Sequence, residues 1–156
     1  MKRAAVLVVG FFLLTIVAAA ESDPVILDFK TMVGVSGPYV GAANPIRGLS
    51  GGGVPWVIAD GKGKLRADGR LEVKVRGLVL ASTGANPVPA FRAVVSCQSI
   101  DGMGGPSIVN VSTEDFPASP TGDADIRATV ELPNPCFAPI IFVTNSTGRW
   151  FAVTGF

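Results

Sequence analysis

The stretch Arg70 to Leu80, RLEVKVRGLVL, repeats with period two: Leu71, Val73 and Val75 fall on one face, Glu72, Lys74 and Arg76 on the other. One apolar and one charged face on an extended segment is the pattern of a half-buried β-strand, whose side chains point alternately to core and solvent. At Gly77 the alternation shifts to Leu78 and Leu80, which predicts a bulge. Just upstream, Asp68-Gly69 signals a turn, and Lys64 to Arg66 is expected to fold back on this strand as a hairpin.

Working outward, the same reading gives Val25 to Val33, with Val25, Leu27 and Phe29 opposite Asp28 and Lys30, and a short strand at Trp56 to Ala59. Phe91 to Cys97, Ile108 to Thr113 and Ala124 to Leu132 follow, and Ile140 to Thr144 and Trp150 to Thr154 flank a hairpin loop at Asn145-Ser146-Thr147-Gly148. About eight short strands separated by turn signals predict an all-β fold, an antiparallel β-sandwich, with an immunoglobulin-like Greek key as one form it can take. Composition agrees. The 156 residues include 19 glycines and 12 prolines, and valine outnumbers leucine; such a chain offers turns and β-branched side chains, not uninterrupted helices. A membrane β-barrel needs strands of about 9 to 11 residues with an apolar lipid face, and most of these are shorter or broken by proline.

Lys2 and Arg3 precede an apolar run from Ala4 to Val17 that ends in Ala18-Ala19-Ala20. A basic start, a short apolar run and small residues at the end are the parts of a secretory signal peptide, expected over residues 1–20, with residues 21–156 as one β-sandwich domain. The localisation expected is secreted, periplasmic or otherwise extracellular. Two cysteines, Cys97 and Cys136, lie in the exported part. An even count in an oxidising compartment predicts a single Cys97–Cys136 disulfide, closing a loop of about 40 residues and contributing about 4 kcal/mol in the chain-entropy account.

Lysine and arginine number 13 against 12 acidic residues, for a net charge of +1. A near-neutral chain lacks the basic surface that nucleic acids or anionic membranes require, so neither is an expected partner, and no further apolar run calls for membrane insertion once the leader is removed. The sequence holds no histidine, which excludes Ser-His-Asp and Cys-His catalysis and imidazole metal sites. A carboxylate pair of the glycosidase type remains chemically allowed, but no spacing singles one out. Asp123 and Asp125, with Glu114 and Asp115 near in sequence, form the densest acidic group; calcium ligation competes there with ordinary turn stabilisation. No cofactor is expected.

The least regular stretch is Gly34 to Pro55, rich in glycine and proline. A loop this long inside one domain is a candidate binding element, and Tyr39, Asn44, Arg47 and the following Trp56 are the candidate ligand-binding residues, able to stack on a sugar or grip a peptide. The competing expectation is that the glycines make turns while Tyr39 and Trp56 fill the core or cover a sheet edge. The sequence therefore predicts an exported, non-catalytic module with a binding or structural role at the cell surface or outside the cell, its partner a glycan or another surface protein. A small secreted hydrolase acting on polysaccharide and a calcium-stabilised adhesion domain are the alternatives.

Overall fold

The computed structural model describes residues Asp23 to Gly155, so the expected signal peptide over residues 1–20 lies outside the described residues. Twelve strands run through them: β1 (Val25–Phe29), β2 (Met32–Gly34), β3 (Trp56–Val57), β4 (Asp60–Arg66), β5 (Arg70–Arg76), β6 (Val79–Leu80), β7 (Ala90–Ile100), β8 (Pro106–Ser112), β9 (Phe116–Pro117), β10 (Ala124–Thr129), β11 (Phe137–Thr144) and β12 (Trp150–Thr154). They form a four-stranded sheet in the order β1-β4-β5-β10, and a larger sheet in the order β2-β12-β11-β7-β8, where β9 also pairs with β7. A small third ladder joins β3 to β6. Every strand-to-strand pairing between these elements is antiparallel.

The β4–β5 hairpin is present, with Leu65 opposite Leu71. Its loop is Ala67-Asp68-Gly69: the Gly69 N–H donates to the Arg66 carbonyl at 3.0 Å, and Gly69 has φ +85. This is a three-residue hairpin loop ending in a left-handed residue, where glycine costs no Cβ strain. Leu71, Val73 and Val75 are buried, as the alternation requires, and Glu72 and Lys74 are exposed. On that outer face the register sets Asp28, Lys64, Glu72 and Arg127 in a row across four strands, alternating in sign. Opposite charges placed directly across strands support the pairing modestly.

Most expected boundaries differ by a few residues, and three differences have a clear physical cause. The segment Val25 to Val33 is two strands, because the chain crosses after Phe29 from the first sheet to the second. Arg70 to Leu80 likewise divides at Gly77, φ +64, where the chain leaves the sheet instead of bulging within it; Leu78 turns into the core and β6 pairs with β3. The strand expected at Lys64 to Arg66 begins earlier, at Asp60. Gly61 and Gly63 hide that beginning from an apolar-alternation reading. A Cβ on Gly61 would stand 2.6 Å from the Met32 side chain, and one on Gly63 2.8 Å from the Phe29 ring. The two glycines make room for the residues at which the first segment changes sheets.

One apolar cluster fills the space between the sheets, with Leu65, Leu71, Val73, Val75 and Ile126 from one and Phe91, Ala93, Val95, Ile141 and Val143 from the other. Cys97 and Cys136 form a disulfide with Cα atoms 5.0 Å apart. It ties β7 to the residue entering β11, two neighbouring strands of one sheet. The immunoglobulin-like form is not confirmed, since in that fold the disulfide bridges the two sheets.

Candidate functional site

The second sheet is covered on its inner face and over part of its outer face. On its inner face Trp56 stacks on Phe151, ring centroids 4.0 Å apart, and Phe91 meets both rings edge-on. On its outer face Phe142 packs at 5.8 Å against Trp150, and both are buried. A sheet face carrying such aromatic surface must be covered, and the glycine-rich segment after β2 covers it.

The two ends of that segment meet, the Trp56 N–H donating to the Val35 carbonyl at 2.9 Å. Its return leg runs beside β12: the Trp150 N–H donates to the Ser50 carbonyl at 3.1 Å, and the Gly52 N–H to the Trp150 carbonyl at 2.8 Å. The Trp150 indole N–H reaches the Leu49 carbonyl at 3.1 Å. Glycine is needed for this closeness, since a Cβ on Gly51 would lie 2.0 Å from the Tyr39 carbonyl oxygen, and one on Gly52 3.0 Å from the Phe151 ring. At the tip, Ile46 and Leu49 exchange two backbone hydrogen bonds of 3.0 and 2.9 Å around Arg47 and Gly48, whose φ values are +49 and +80. Two consecutive left-handed residues make a type I′ turn.

The four candidate binding residues do not meet at one point. Trp56 is only 3% exposed and belongs to the core. The Asn44 side-chain amide donates to the Pro38 carbonyl at 2.8 Å and so clamps the loop upon itself. Arg47 is half-buried; its guanidinium donates to the Ser96 carbonyl at 2.7 Å, while its own carbonyl accepts from the Asn110 side-chain amide at 3.0 Å. Burial lowers the Arg47 pKa from the ordinary arginine value. Arg47 thus pins the loop across β7 and β8. Tyr39 alone stands at a cavity. It ends a short 3-10 turn over Gly37–Tyr39 and keeps 45% of its surface exposed.

That cavity is a groove of about 830 Å³ between the loop and the β2 side of the second sheet. Val33, Ile140, Val153 and the edge of Trp150 make its floor, Tyr39 and Ile46 one wall, and Leu27, Asp28 and Lys30 part of the opposite rim. Sequence reading finds Tyr39 but misses Val33, Ile140 and Val153. Each of those reads as an ordinary strand residue, and only the pairing of Val33 with Val153 in register places them side by side.

The acidic group is spent locally. Asp123 accepts from the Gly77 N–H at 2.9 Å and from the Thr121 hydroxyl at 2.9 Å, Asp125 pairs with Arg76 at 2.8 Å, and Asp115 with Arg92 at 2.7 Å. The Gly77 N–H holds the Asp123 carboxyl below its usual range, and the Arg92 guanidinium does the same for Asp115. Among the described residues no three His, Cys, Asp or Glu side chains gather as a metal ion would require, and no helix is long and apolar enough to cross a membrane. Comparison with known proteins finds no matching family model, no matching curated protein and no matching solved structure.

Proposed function

We propose that the protein is an exported, non-catalytic binding module, acting at the cell surface or outside the cell, whose ligand lies in the groove beside Tyr39. The observation that carries this reading is the groove itself: about 830 Å³ of concave, apolar-walled space, with a half-exposed phenol on one side and Asp28 and Lys30 at the rim. Such a surface suits a ligand with an apolar face and a few polar groups, and the face of a sugar ring is one, since an exposed aromatic ring can stack on its C–H groups. The disulfide supports an oxidising compartment. Against hydrolysis, Asp28 is the single acid among the residues lining the groove and it pairs with Lys64 at 3.4 Å, whereas a glycosidase-type site uses two acids.

The test is a thermal-shift screen of the oxidised protein against a glycan panel, repeated with Tyr39→Ala. Ligand binding to the folded state alone raises its melting temperature by mass action. A shift with a glycan that disappears in Tyr39→Ala is the expected result; a panel that shifts nothing, or shifts both proteins equally, refutes this use of the groove.

A further inference from the structure

The two main sheets present four edges, and three of them are protected against pairing with another chain. β1 carries Asp28 and an irregular register between Val25 and Leu27; β2 is only three residues long; β10 carries Asp125 and Arg127. Charges, irregularities and shortness are the ordinary means by which a sheet edge avoids a foreign strand. β8 has none of these, and its one proline, Pro106, stands at its first residue. Its seven residues, PSIVNVS, hold no charge, and they pair with β7 without a shift from Ser112 opposite Val94 to Pro106 opposite Ile100. No β8 residue is buried, and among the described residues its side away from β7 receives no strand.

The sheet face next to this edge is also uncovered. Phe137 and Ile108 flank Gln98 in one row across β11, β7 and β8, with Ile100 in the next row. Ile108, Ile100 and Phe137 are 45%, 50% and 57% exposed and border a shallow hollow of about 570 Å³. The loop that covers the other end of this face stops at Arg47 and Asn110. Contiguous exposed apolar surface of this kind marks an interaction site.

We propose that β8 is a self-association edge, at which a second copy of this chain adds its own β8 antiparallel and joins the two larger sheets into one. Charge selects the occupant. In a two-fold antiparallel pairing a strand faces itself, so a charged edge meets its own charges in some register, whereas β8 meets none. With the two-fold axis near Val109, the Ile108 side chains of the two copies become diagonal neighbours on the same face. The two apolar patches then merge and shield one another.

The test is sedimentation velocity on the oxidised protein from about 1 to about 500 μM, since a dimer must respond to concentration. Ile108→Lys places a charge in the patch at the edge, Ser112→Lys places one on β8 outside the patch, and Thr129→Lys is the control on the guarded β10 edge. The expected result is a concentration-dependent dimer, weakened at least about tenfold by each β8 lysine and unchanged by the control, with melting temperatures of the monomers within a few degrees. A wild-type chain that stays monomeric throughout overturns the proposal, even if it captures a strand from another protein. So does a dimer that survives both β8 substitutions.

Discussion

Gly61 and Gly63 carry more of the architecture than their side chains suggest. They stand on the inner face of β4 where Phe29 and Met32 must pass from one sheet to the other, and each lies too close to a neighbouring side chain for a Cβ. Gly63→Ala is expected to destabilise by about 1–3 kcal/mol, since its Cβ would stand 2.2 Å from the Glu72 carbonyl oxygen and 2.8 Å from the Phe29 ring; urea unfolding measures it, and a neutral result contradicts the packing described. Trp56 shows the reverse relation between sequence and role. In a glycine-rich stretch an aromatic reads as a ligand platform, yet Phe91 and Phe151, both remote in sequence, enclose it. The sequence offers both expectations for Trp56, ligand platform and core residue, and the assembled sheet decides for the core. Trp56→Ala should cost about 3–5 kcal/mol in the same assay.

The elements divide by how local their causes are. The β4–β5 hairpin is legible because alternation and an Asp-Gly turn lie within a few residues of each other. The division of Val25 to Val33 is not, because the room for Phe29 and Met32 at the crossing is made by Gly61 and Gly63 on another strand. The long glycine-rich segment is legible as special, but its role as a cover depends on Phe142 and Trp150, far downstream. Arg47 fastens that cover, so Arg47→Ala is expected to lower stability by about 1–3 kcal/mol, the cost of leaving a covered carbonyl without its charged donor. Hydrogen exchange should show the loss first at the Gly52 and Trp150 amides, whose bonds to the Trp150 and Ser50 carbonyls hold the segment to β12; uniform acceleration through the whole chain would contradict a local fastening. The disulfide fastens β7 to β11. Its replacement by Cys97→Ala with Cys136→Ala should lower stability by about 2–4 kcal/mol while the far-ultraviolet circular dichroism stays that of a β protein.

For the molecule as a whole, the sandwich is legible from periodicity and composition, whereas the groove is a product of register and of one loop laid over one face. Stability should also respond to pH in a direction fixed by carboxylates whose pKa is lowered, Asp68, Asp115 and Asp123. Asp115 and Asp123 have lowered pKa values in the folded state, through Arg92 and the Gly77 N–H. Their stabilisation is therefore complete above the unfolded carboxylate value of about 3.9 and is lost as the pH falls through the lower folded values. Melting temperature should fall as the pH drops below about 4, less steeply in Asp123→Asn, and a slope unchanged by that substitution would remove Asp123 from the account.

The claim that most needs direct measurement is that the groove beside Tyr39 is where a ligand binds. Titration of the isotope-labelled, oxidised protein with the glycan that gives the largest thermal shift, followed by amide and methyl chemical shifts, answers it residue by residue. The prediction is a saturable response centred on Val33, Tyr39, Ile46, Ile140 and Val153, the groove's floor and wall. A response centred instead on Ile100, Ile108 and Phe137, or on the charged face of β4 and β5, would contradict it.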